Sequence, residues 1–167
     1  PPASLAPMVK VEDQVDQIGL SRAPFGATPP SIRSAEDSKV SGWAVDAVGG
    51  LTLGADPISY AISYASADSH KPVRAFTVRK EAKAHGTGRR IEGPFKQNDH
   101  VVVIEDVITT GASALRAIEA VRTEGGTVSG VLALVDREEG GREAIEAADI
   151  PVIAITAASQ IISVLGN

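Results

Sequence analysis

A chain of 167 residues is long enough for one α/β domain with a proper core, and nothing in it marks a second. It has no cysteine, which excludes disulfides, thiol catalysis and cysteine metal sites. Sixteen Lys and Arg against 21 Asp and Glu leave a net charge of −5, which gives no support for general nucleic-acid binding, although a local basic loop could still hold phosphates.

Residues 1–41 come first and are the least regular. Pro1, Pro2, Pro7, Pro24, Pro29 and Pro30 interrupt them, and 9–20 offers one short helical possibility. The start, PPASLAPMVKVEDQ, lacks the basic end and apolar stretch of a signal peptide, and no apolar run approaches the ~18 residues of a membrane span. Cytoplasmic residence without membrane contact is the expectation, with an irregular segment at 1–41 and a core domain at 42–167.

From Gly42 the pattern becomes regular. Residues 43–48 read as a strand, ended by a glycine-rich turn at 49–54. Asp56 then caps a helix with Pro57 at its first position, running through Ile58, Ile62 and Ala65 to about Ala67. A strand at 73–78 leads into 79–94, a polar and basic stretch too long for a tight turn, of the kind that forms a functional lid or a disordered segment. Residues 100–104 are a strand, apolar without a break from Val101 to Ile104, and 114–124 a helix stopped by Gly125-Gly126. A strand at 127–135, a helix at 142–148, a strand at 151–156 and a helix at 158–164 complete the series. Alternating strands and helices predict a mostly parallel sheet covered on both faces.

Chemistry concentrates where the strand at 101–104 runs into VVVIEDVITTGAS. Free amides of Thr110 to Ser113 at a helix start, with the hydroxyls around them, suit a phosphate monoester. Glu105 and Asp106 suit the opposite partner, vicinal hydroxyls or a positive centre, so the stretch fits a sugar phosphate. The alternative is a capped helix with two solvated acids. The turn at 49–54 is either a backbone cradle for a diphosphate or an ordinary strand-to-helix turn. It is not a Walker loop. In RKEAKAHGTG, Arg79, Lys80 and Lys83 add three cations and His85 one titratable ring. They could stabilise a departing diphosphate or simply be solvated. Arg137, in VDREEGG, could meet a substrate carboxylate in forked geometry or pair with Asp136 or Glu138. His70 and His100 read as surface residues, and Trp43 and Phe76 as core.

Residues 101–113 resemble the ribose-5-phosphate signature of the type I phosphoribosyltransferases. RKEAKAHGTG and VDREEGG are similar to the lid and base-contacting segments of their orotate branch. The likeness spans roughly 45–155. It implies a type I phosphoribosyltransferase-like α/β fold and transfer from phosphoribosyl pyrophosphate to orotate, giving orotidine 5'-monophosphate in pyrimidine synthesis. By resemblance Glu105 and Asp106 hold the ribose and, with Lys83, are catalytic. Thr109, Thr110, Gly111, Ala112 and Ser113 hold the 5-phosphate. Arg79, Lys80 and His85 meet the diphosphate, and Thr109 and Arg137 the orotate. Mg2+ is implied, held mainly by substrate oxygens and water, together with a homodimer whose lids reach the partner's site. No residue is assigned as a metal ligand, and no nucleic acid is expected.

Three departures stand out. Ala112 replaces a glycine of many relatives, which is tolerable if the backbone there is not left-handed. Leu53 stands where the matching turn often ends in Lys, leaving diphosphate contacts to backbone, Thr52 and the lid. The relatives' N-terminal hood, a Lys-Ser-Gly segment with an aromatic pair, is missing or divergent in 1–41, where Phe25-Gly26 and Pro29-Pro30-Ser31 are poor substitutes. A transferase for another nucleobase, or a non-catalytic regulator that binds phosphoribosyl pyrophosphate, therefore stays open.

Overall fold

The apolar runs of the sequence become the strands of one sheet. The structure, a computed structural model, describes residues 42–81 and 89–165. Six strands, β1 (Ala47–Leu51), β2 (Arg74–Val78), β3 (Ile91–Glu92), β4 (His100–Ile108), β5 (Thr127–Asp136) and β6 (Val152–Ala157), lie in the order β3-β2-β1-β4-β5-β6. Every neighbouring pair is parallel except β2 and β3. The helices are α1 (Ala55–Ala65), α2 (Ala112–Thr123), α3 (Gly141–Glu146) and α4 (Ala158–Leu165).

β4 runs through the middle and is buried on both sides. Val101 and Val103 pack with Ala114, Ala117, Ile118 and Val121 of α2 and with Ile145 of α3. Val102 and Ile104 pack with Val48, Leu132 and Ala55, and with Ile58 and Ile62 of α1. A strand with apolar residues at both parities can be covered by helices on both faces, and this one is. α2 buries its i, i+3, i+4, i+7 series and exposes Arg116, Glu119 and Arg122 between them. Fully burying side chains such as Ile118 and Val121 stabilises by roughly 1.5–3 kcal/mol each.

Four boundaries differ from the sequence expectation. Gly49 and Gly50 lie inside β1, not in a turn, and the strand begins at Ala47. A Cβ on Gly49 would fall onto the carbonyl oxygen of Phe76, and one on Gly50 onto that of Ile104. Only glycine lets β1 sit this close to its neighbours. The remaining turn is Thr52 to Gly54, and its Thr52–Leu53 peptide is cis. Secondly, Asp56 is not the cap of α1. Gly54 holds that position, and Asp56 accepts hydrogen bonds from the Thr52 and Thr77 hydroxyls, each at 2.9 Å. Thirdly, β4 continues past Ile104 because its pairing with β5 runs on to Ile108↔Asp136. Ladder pairing outweighs the weak strand preference of Glu105 and Asp106. Lastly, the stretch after β2 contains β3, whose entry is held by Glu124 accepting the amides of Arg90 and Ile91 at 3.1 Å. Gly125, at φ +85, ends α2 as its sequence position predicts.

No helix among the described residues is long and apolar enough to cross a membrane. Gly50→Ala should cost roughly 2–3 kcal/mol, because its methyl meets backbone on a neighbouring strand. Gly42→Ala, left-handed but with open space around its Cβ, should lose about 1 kcal/mol. Urea unfolding of both variants measures this, and equal losses would refute the packing account.

Candidate active site

From β1 the chain crosses through α1 to β2 on one side, and from β4 through α2 to β5 on the other. The order of connection therefore reverses between β1 and β4, and their carboxyl ends frame the crevice where open α/β sheets take ligands. Thr52 to Gly54 form the rim on β1. Glu105, Asp106 and the loop from Thr109 to Gly111 form it on β4.

The two rims touch. A Cβ on Gly54 would lie 2.6 Å from Oδ2 of Asp106, so the turn packs directly on that carboxylate. Asp106 is partly buried and its Oδ1 accepts the amide of Val107 at 2.8 Å. Glu105 is only 7% exposed, and burial, followed by the Asp106 charge and a hydrogen bond with it, pushes its pKa up to about 7. Two evenly solvated acids are thus not what the strand presents. Glu105 is protonated through mildly acid pH.

Beyond them Thr109 is partly buried and Thr110 exposed, and Gly111 caps α2 at φ +77 without a side-chain hydrogen bond. Helix geometry leaves the amides of Ala112, Ser113 and Ala114 without an acceptor inside the helix, while that of Leu115 bonds to Gly111 O at 3.0 Å. The left-handed position is Gly111. Ala112 is the first helical residue, so the condition for tolerating its methyl is met.

The β5 end supplies the third wall. Asp136 is buried and accepts from Arg142 Nε at 2.9 Å and from the Glu138 amide at 2.9 Å. The Glu138 carboxylate accepts the amide and hydroxyl of Ser159, at 2.8 and 3.0 Å, at the start of α4. Arg137 pairs with Glu139 at 2.7 Å, not with Asp136 or Glu138 as its structural alternative would have it, because those acids are already engaged. Both members of that pair are exposed, so it is worth about 0–1 kcal/mol, and the guanidinium is free to exchange partners.

Other expected residues are spread more widely. Arg79 lies at the end of β2, 3.4 Å from Glu92, and Lys80 is exposed beside it. Lys83 and His85 lie outside the described residues, as does the whole of 1–41. The Thr52 hydroxyl donates to Asp56, so its proton is not available to a diphosphate. His100 sits at the start of β4, the opposite end from the crevice, 3.3 Å from Asp46, and His70 is exposed. Phe76 is core, and Trp43 packs against Gly130. Among the described residues no group of three His, Asp or Glu is placed to hold a metal. Sequence reasoning gave Asp56 a different role and missed the roles of Arg142 and Gly141. The first two stand at turn ends beside hydroxylated or acidic neighbours, a signal visible but common. Gly141 was hidden in a glycine pair.

The mostly parallel sheet, with uncapped helix amides, a carboxylate pair and a strand-end arginine at one end, has the fold of the type I phosphoribosyltransferases. No family model matches the chain. It is 53% identical over 117 residues to the orotate phosphoribosyltransferase of Aquifex aeolicus, covering 70% of this chain and 64% of that one. To that of Synechocystis sp. it is 57% identical over 100 residues, covering 59% and 50%. The Mycobacterium tuberculosis H37Rv orotate phosphoribosyltransferase in complex with 5-phospho-alpha-D-ribosyl 1-diphosphate superposes with a TM-score of 0.64 at 42% identity, over 75% of this chain and 69% of that one. Saccharomyces cerevisiae adenine phosphoribosyltransferase, at 19% identity and a TM-score of 0.56, shares the fold alone. The chain belongs to the orotate phosphoribosyltransferase family, and it spans less than two thirds of the two curated relatives above.

Glu105 makes stability depend on pH. Its folded pKa, about 7, lies above the ordinary 4.5, so its contribution is complete below 4.5 and is lost as pH rises through 7. Glu105→Gln should match the parent near pH 5 and exceed it by on the order of 2–3 kcal/mol near pH 8.5. Urea titrations at the two pH values measure this, and an equal difference at both would refute it.

Proposed function

We propose that the chain transfers the phosphoribosyl group of phosphoribosyl pyrophosphate to orotate, giving orotidine 5'-monophosphate and pyrophosphate in pyrimidine synthesis. The observation that carries the proposal is the reach of β4: one strand end bears an ionisable carboxylate pressed against the β1 turn and leads into uncapped amides. Relatives named as orotate phosphoribosyltransferases, and a solved one holding the sugar diphosphate, support the substrate pair.

In this reading the 5-phosphate sits on the amides and hydroxyls of Thr109 to Ser113, where the helix dipole favours an anion. Asp106 accepts from the ribose hydroxyls, and Glu105, with its shifted titration, shares that task. The bond from the anomeric carbon to diphosphate oxygen breaks, its electron pair leaving on the diphosphate. An orotate nitrogen supplies the pair for the new bond, and its proton is released. Positive charge on the ribose at the transition state is stabilised by the nearby carboxylates. Lys83, with Arg79, Lys80 and His85, stabilises the departing charge, and Arg137 exchanges Glu139 for the orotate carboxylate, with Thr109 close to the base.

Mg2+ belongs to the same proposal. The ion would arrive held mainly by substrate diphosphate oxygens and water, with no protein residue assigned to it. When bound, the ion neutralises diphosphate charge. A homodimer sharing its lids, and residence in the cytoplasm, complete the reading.

Loss of orotate absorbance on adding phosphoribosyl pyrophosphate tests it. Asp106→Asn should lower kcat/KM by about 10²–10³-fold. Lys83→Ala should lower kcat by about 10²-fold while leaving KM for the sugar diphosphate within about threefold. Turnover with another free base alone would reassign the acceptor, binding without any turnover would make the chain a regulator, and a full rate in Lys83→Ala would remove the lid assignment.

A further inference from the structure

We propose that Gly141 is a positioning residue for the phosphate loop, and that it acts by having no side chain. This rests on the phosphate-binding role given above to Thr109 through Ser113. Gly141 is the first residue of α3 and is buried. A Cβ there would fall onto the carbonyl oxygen of Thr109 and lie 2.7 Å from the amide nitrogen of Gly111 and 2.6 Å from Cγ2 of buried Ile108. The contact is reciprocal, since a Cβ on Gly111 would lie 2.7 Å from the carbonyl oxygen of Gly141 and 3.1 Å from Ile145 Cγ1. Backbone therefore rests on backbone, and the loop takes its height above the sheet from the start of α3.

The direction in which a clash would be relieved decides the consequence. The start of α3 cannot easily retreat. Arg142 is held by Asp136 at 2.9 Å and by the Val152 carbonyl at 2.9 Å, and Ile145 is fully buried beneath. The amide of Arg137 donates to Ile108 O at 2.9 Å, fixing the approach from β5 as well. The loop, with Thr110 exposed, is the softer partner. Adding a methyl at Gly141 thus displaces the amides that meet the phosphate, and it also presses on Cγ2 of Ile108 in the core. Displacements on the order of 1 Å at such a contact can cost up to ~10²-fold in binding or rate.

Isothermal titration with ribose 5-phosphate tests this on the full chain, alongside steady-state kinetics with phosphoribosyl pyrophosphate. Gly141→Ala should weaken ribose 5-phosphate by at least about tenfold and raise KM for the diphosphate similarly, with kcat at saturation within about threefold. Gly125→Ala is the comparison. It places a methyl at a left-handed glycine (φ +85) at the far end of α2, so it should lose stability and keep both constants. Hydrogen exchange on the unaltered protein needs no variant to fold: ribose 5-phosphate should add protection in 141–147 as well as in 110–115. Unchanged affinity in Gly141→Ala, an equal loss in Gly125→Ala, or no added protection in 141–147 would each overturn the proposal. So would an unaltered protein that does not bind ribose 5-phosphate. Binding without orotate turnover would instead leave Gly141 its role and remove the proposed reaction.

Discussion

Backbone pairing between β4 and β5 is the constraint on which the site depends. The ladder continues to Ile108↔Asp136, four residues beyond the last apolar position of the run that starts β4. It therefore carries Glu105 and Asp106 out of a core that is buried on both faces without letting them leave the strand. A carboxyl group held at that depth loses much of its hydration, and Glu105 responds by titrating near pH 7. Asp106, one residue on, meets the β1 turn at Gly54, a residue with no side chain to cover it. Two adjacent acids thus have different surroundings, set by which neighbour each one meets.

The same device recurs across the crevice. Gly49 and Gly50 let β1 approach β2 and β4, Gly54 admits the Asp106 carboxylate, and Gly111 and Gly141 bring two loops into backbone contact. Only Gly111 among these five also needs glycine for its left-handed φ. The others are there because of what a methyl group would strike. Closely packed backbone has few ways to yield, which suits a rim that must hold several ligand groups at fixed separations.

How much of this was legible in the sequence follows from where each signal lives. Alternating strands and helices, the apolar run at Val101 to Ile104 and the helix stop at Gly125 are local, and they gave the architecture directly. The reach of β4 was not legible, because Glu105 and Asp106 are poor strand formers and the pairing that keeps them extended comes from β5, more than twenty residues downstream. The turn at Thr52 to Gly54 was overestimated for a related reason: two glycines look like a turn in sequence, whereas contact with Phe76 and Ile104 makes them strand. Asp56 looked like a cap because it precedes Pro57, but two threonine hydroxyls, one from β2, claim its carboxylate. Site motifs were readable as motifs. Their partners were not, since Arg137 finds Glu139 and Asp136 finds Arg142 only once the turn after β5 has its shape.

That last exchange separates scaffold from reagent. Arg142 is bound to a buried carboxylate and a strand carbonyl, so removing its partner would strand a charge in a poorly hydrated place. It is too firmly committed to serve a ligand. Arg137 and Arg79 pair with exposed acids, Glu139 and Glu92, in contacts that water and salt already weaken. A carboxylate or a multiply charged diphosphate can displace such partners at little cost. The Glu105 and Asp106 carboxylates would otherwise repel an anion, and the arginines that can change partners are the ones on the surface. The buried ion pair fixes the geometry, and the exposed pairs keep cations in reserve near it.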